Sequence, residues 1–236
     1  KKMKKFLSFI LIFCVSFSFS QIWTSYGVKV APENEETVVK IMDDYFTNNK
    51  VEGVTVSLYS IMFTAADLNF THEVIFSGEG DAMAKLYEPG FQNTSWQLFS
   101  SKINNFVENV FSGQGWRNFN FGETVPFQLV YTFKGDWEEI NKWMAMENKL
   151  NEKYPQDFRS FAAGGINAGG PSNKADRWMV TGWKTYADYN ENWNNTQKFR
   201  AENPAFVKEK AKMEKDIDTS DAEFITKTMR VLVKQW

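Results

Sequence analysis

Two stretches about 105 residues apart carry one pattern, and nothing else in the chain limits its fold so narrowly. Residues 177–190 run through Arg177, Trp178, Met179, Val180 and Thr181 as a strand, then through one short turn into a helix studded with Tyr186 and Tyr189. Residues 72–87 echo it. His72, Val74 and Phe76 alternate with Glu73, Ile75 and Ser77 before Gly78 and Gly80 turn the chain into a short helix. Period-two alternation is the mark of a half-buried strand. Sliding one stretch onto the other sets Ala82 on Ala187, which predicts a duplicated fold.

The remaining elements fit that expectation. Tyr26, Val28 and Val30 line one face of a first strand, and Pro32 with Glu33, Glu35 and Glu36 opens a helix whose apolar stripe is Val38, Met42, Tyr45 and Phe46. Val54, Val56 and Leu58 alternate in a second strand, and residues 72–77 form a third. A helix is predicted from Asn93 onward, with Trp96, Phe99, Ile103, Phe106, Val107 and Val110 on its stripe. Gly113 to Gly115 should stop it before a strand over 116–121. The second half repeats the order. Strand 127–133 precedes a helix capped by Asp136, a weaker strand covers 158–166 and a strong one 177–185. Helices over 186–201 and 205–217 then lead to a closing strand over 224–233. Each half reads strand, helix, strand, strand, helix, strand, which is the order of a ferredoxin-like unit. The expected fold class is α+β: two βαββαβ repeats, 21–122 and 123–236, whose antiparallel sheets pack into one α/β barrel within the chain.

This two-copy pattern, and residues 178–193 above all, resembles the dimeric α/β-barrel superfamily. Its members include antibiotic-biosynthesis-type monooxygenases, muconolactone isomerase-like proteins and the haem-binding chlorite dismutase group. The similarity covers most of the chain beyond residue 20 but lies in element order and hydrophobic pattern. No signature motif points to a subfamily, and no catalytic residue is carried over.

Residues 1–20 read as a secretory signal peptide: a lysine-rich head, an apolar run over 6–19 and small residues Ser18 and Ser20 before Gln21. The expected location is secreted or periplasmic, by bacterial export. Cys14 is the single cysteine and would leave with the leader, so disulfides and thiolate chemistry are excluded from the remainder. The formal charge of −2 becomes more acidic once Lys1, Lys2, Lys4 and Lys5 are removed, which argues against nucleic acid. No second apolar run is long enough to span a membrane, so no stable membrane insertion is expected after cleavage. A monomer acting as its own pseudo-dimer and a homo-oligomer both fit.

Few residues offer chemistry. His72 is the only histidine, and Arg177 falls at its place in the second copy. Facing a barrel interior, His72 would serve as a base or iron ligand, and the two together would hold an anion. Trp178 and Trp183 would line an apolar pocket. His72, Arg177, Trp178 and Trp183 are therefore the candidate ligand-binding residues. No metal or cofactor is expected. Asp43–Asp44 and Glu138–Glu139 point different ways on their helices. Residues 216–221 open like a calcium loop but place Asp221 where glycine is needed. The glycine-rich run over 162–172 lacks a phosphate-loop lysine and reads as a mobile hairpin that could gate a barrel mouth. Three functions compete: an exported barrel binding a small apolar or aromatic molecule, a cofactor-independent monooxygenase- or isomerase-like enzyme, and an interaction protein whose barrel is packed shut.

Overall fold

A computed structural model describes residues 21–236 apart from 66, 89, 91 and 92. The expected signal peptide and Cys14 lie outside the described residues.

The described residues form eight strands: β1 (Gln21–Val30), β2 (Val54–Phe63), β3 (His72–Gly78), β4 (Val107–Phe121), β5 (Phe127–Lys134), β6 (Ser160–Gly169), β7 (Arg177–Trp183) and β8 (Glu223–Gln235). They close into an antiparallel barrel in the order β1-β3-β2-β8-β5-β7-β6-β4. Its helices are α1 (Glu35–Asn48), α2 (Gly80–Ala84), α3 (Thr94–Ile103), α4 (Trp137–Lys153), α5 (Tyr186–Asn190), α6 (Asn192–Glu202) and α7 (Pro204–Met213). The first half is a β4-β1-β3-β2 sheet and the second a β8-β5-β7-β6 sheet. Two ladders between the halves, β2 with β8 and β4 with β6, complete the ring.

The register demonstrates the duplication. Ile22 pairs with Gly78 and Phe127 with Trp183; Val28 pairs with His72 and Phe133 with Arg177. Thr55 opposite Ser77 matches Ser160 opposite Gly182. All these equivalents stand about 105 residues apart. Even the irregularity is copied: β1 slips against β4 between Gly27 and Val28, and β5 slips against β8 between Thr132 and Phe133, the corresponding residues.

Local chemistry places the helices. Asp136 accepts from the Glu138 and Glu139 amides at the start of α4, and Thr185 with Asp188 makes a full capping box at α5. The helices cover the outer face of the ring. Val38, Met42 and Phe46 of α1 meet Leu58 and Phe76, while Ile140 and Met144 of α4 meet Phe133 and Ala163. Leu58, Ile140, Met144 and Leu150 are essentially sealed from water, each contributing about 2 kcal/mol. The chain end is tied to α1, since Asp43 accepts from Trp236 Nε1 at 2.9 Å and pairs with Lys234 at 2.5 Å.

Two expectations are corrected. The helix predicted over 94–110 ends at Ile103, and residues 107–121 form one 15-residue strand through Gly113 and Gly115. Those glycines are points of close approach rather than breaks. A Cβ on Gly115 would lie 2.1 Å from the Gly165 carbonyl oxygen and 2.5 Å from the Trp23 ring. Most of the glycine-rich run is likewise strand β6, and a Cβ on Gly164 would stand 1.9 Å from the Trp116 carbonyl oxygen. Gly164→Ala should therefore lower stability by about 1–3 kcal/mol, read as a drop in urea midpoint. Gly80→Ala, whose new carbon meets only ordinary contact at 3.5 Å, should stay close to wild type.

Candidate functional site

Side chains alternate across each strand, so every strand offers one face to the helices and one to the lumen. Most of the fully buried apolar side chains take the helix side. The lumen receives the opposite set: Trp23 and Ser25 from β1, Ser57 and Tyr59 from β2, Glu73 and Ile75 from β3, Arg117 from β4, Gln128 and Val130 from β5, Ala162 and Ile166 from β6, Trp178 and Val180 from β7, and Arg230 from β8. They enclose a cavity of about 360 Å³, so the barrel is not packed shut.

A polar network crosses one side of this cavity. Arg230 is buried; its Nε and Nη2 donate to Gln128 Oε1 at 3.0 and 2.8 Å, and its Nη1 pairs with Glu73. The other Glu73 oxygen accepts from Ser25 at 2.5 Å. Gln128 Nε2 donates to the Tyr59 hydroxyl at 3.3 Å and to the Val125 carbonyl at 3.1 Å. The Arg230 guanidinium also lies 4.1 Å from the centre of the Tyr59 ring. The opposite side is aromatic. Trp23 and Trp178 meet edge to face with centroids 5.9 Å apart, and Trp178 Nε1 donates to the Trp116 carbonyl at 3.2 Å. Arg117 bonds to Gln21, and burial pulls its pKa below the ordinary arginine value. A second, uncharged cavity of about 280 Å³ lies between the first sheet and helices α1 and α3, lined by Met42, Phe76, Phe99 and Ile103. Tyr26 borders it, its phenol pushed up to about 12 by burial first and the Tyr87 hydrogen bond second.

Of the four residues singled out from sequence, Trp178 alone reaches the lumen. His72 is buried on the opposite face of β3, with Nδ1 3.0 Å from the Thr71 hydroxyl. Arg177 lies on the helix side, 3.3 Å from the centre of the Trp137 ring, with Nη1 donating to the Asp176 carbonyl at 2.6 Å. His72 and Arg177 are equivalent in register but sit on strands across the ring from each other, both turned outward, so no His–Arg anion site forms. Trp183 packs with Leu129, Met229 and Tyr189, and its Nε1 donates to Asn192 at 3.1 Å. The expectation erred on parity. It assigned the His72, Val74 and Phe76 face of β3 to the interior, whereas that face meets the helices and the Glu73, Ile75 and Ser77 face lines the lumen. Glu73, a charge alternating within an otherwise apolar strand, was the available signal for the inward face. Asp43, considered above for metals, is occupied by Lys234 and Trp236.

Neither a family model nor a curated protein matches this chain. Solved structures do. An anthrone oxidase-like protein superposes with a TM-score of 0.55 at 10% identity, over 94% of this chain and 94% of its own. A protein from Lactobacillus acidophilus NCFM, described provisionally as a monooxygenase, gives 0.59 at 7% identity over 92% and 95%. A third, described provisionally as a chlorite dismutase, gives 0.53 at 8% over 91% and 95%. The fold is therefore the ferredoxin-like α/β barrel shared by these proteins.

Two outcomes test this placement. Burial, partly opposed by the Glu35 carboxylate, lowers the His72 pKa, so the unfolded chain takes up a proton first. Stability is then complete above the unfolded value of about 6.5 and is lost as pH falls through it. His72→Gln should flatten urea midpoints measured across that window. Glu73→Ala strands Arg230 as a buried unpaired cation and should cost about 3–5 kcal/mol in the same assay.

Proposed function

We propose that this is an exported barrel protein that binds a small aromatic or apolar molecule inside its lumen. The carrying observation is the cavity of about 360 Å³ with Trp23 and Trp178 on one side and the Arg230–Glu73–Gln128 network on the other. Apolar walls with a few convergent polar groups are the usual composition of a small-molecule site, and this volume suits a ligand of one to three rings. The signal-like residues 1–20 support export.

A second reading draws on the provisional monooxygenase and anthrone oxidase-like descriptions of the structural neighbours. In it, a cofactor-independent oxygenase would hold an aromatic substrate in the lumen, with Glu73 placed to take a proton. Such an enzyme would consume dissolved oxygen when given hydroxylated aromatics, and an oxygen electrode showing no uptake above the protein-free rate rejects it.

The binding reading is tested by thermal shift with a panel of two-ring aromatics. A ligand held at 100 times its Kd adds about 2.7 kcal/mol, which moves Tm by several degrees. Ala162→Phe places a ring in the lumen and should abolish the shift, whereas His72→Gln, on the outer face, should retain it. A shift that persists in Ala162→Phe would sink the lumen as the site.

A further inference from the structure

The fold is twofold, but the lumen is not. By register, Gln128, Glu73 and Arg230 occupy the positions that Trp23, Trp178 and Gly115 hold in the other half. Tyr59 corresponds in the same way to Gly164. Equivalent strands stand four apart in an eight-stranded ring, so these sets face each other across the lumen. At these positions one wall, from β3, β2, β8 and β5, carries Glu73, Tyr59, Arg230 and Gln128, and the other, from β7, β6, β4 and β1, carries two indoles and two glycines. The missing side chain at Gly115 leaves room for the Trp23 ring, which a Cβ there would meet at 2.5 Å.

We infer that the lumen selects an uncharged planar ring bearing a donor and an acceptor on one edge, as a lactam does, and rejects the carboxylate of the same ring. This rests on reading the lumen as a ligand site. The polar wall is charge-compensated, because Arg230 is paired with Glu73. An anion placed against it meets Glu73 and a cation meets Arg230, and each must also shed its water. The other two charged residues of the lining, Arg117 and Glu123, carry opposite formal charges. A neutral edge finds both partners. The Tyr59 hydroxyl accepts from Gln128, which leaves its own proton to donate, and the Glu73 oxygens retain acceptor capacity beyond Ser25 and Arg230. The flat face of the ring then lies toward Trp23 and Trp178, where stacking requires no polar match.

The test compares quinolinone and naphthoate, of similar size, by calorimetric titration. Wild type should favour quinolinone by roughly tenfold or more. Glu73→Gln removes the carboxylate but leaves Arg230, and should shift the ratio toward naphthoate by at least roughly tenfold. The double variant Glu73→Gln/Arg230→Gln removes both charges and should lose that gain, which separates electrostatics from misfolding. Equal affinities in wild type, or a ratio unmoved by Glu73→Gln, overturn the selection. If both ligands bind equally and Ala162→Phe abolishes both, the lumen stands as a site and only its selectivity fails. If neither binds, the lumen reading fails and takes the selectivity with it.

Discussion

The structure depends on two ladders, β2 with β8 and β4 with β6, that join the half-sheets. A four-stranded sheet by itself has two unpaired edges and one face that no helix covers, both costly in water. Joining two such sheets edge to edge satisfies the backbone at both seams and turns both bare faces toward a shared interior. Everything else follows from that closure: the pseudo-twofold register, the helices displaced to the outside and the existence of a lumen.

Closure also explains where the hydrophobic side chains go. The outer face of each sheet is buried twice, by neighbouring strands and by helices, and it takes Leu58, Phe76, Phe133 and Ala163. The inner face has no layer to pack against, so it tolerates serine, threonine, glutamine and a buried ion pair. Burying Arg230 is sustainable because Gln128 and Glu73 occupy its donors and the Tyr59 ring lies alongside the guanidinium. In an ordinary sandwich those positions would demand apolar residues.

Divergence between the halves is confined to what the lumen and the helix layer require. Where the first half places Trp23, the second places Gln128; where the second places Arg230, the first has Gly115. Backbone register, including the bulge, is retained because a one-residue slip would turn an apolar face from helix to lumen. Side chains on the inner face were free to differ, so Glu73, Gln128 and Arg230 stand across the lumen from Trp178, Trp23 and Gly115.

Element order, the α+β class and the 105-residue duplication were legible in the sequence, because alternation at residues 72–77 and 177–183 and the helical stripes of α1 and α4 are local signals. Strand β4 was not. Phe106, Val107 and Val110 continue a helical period, and only the Trp23 ring and the Gly165 carbonyl, brought close by the barrel, explain why Gly113 and Gly115 lie within a strand. The candidate site was legible only at Trp178. Period two shows that a strand has two faces but not which one looks inward, and that is decided by where the helices pack. Glu73, Gln128 and Arg230 lie up to 157 positions apart in the chain, and only closure of the barrel makes them one network.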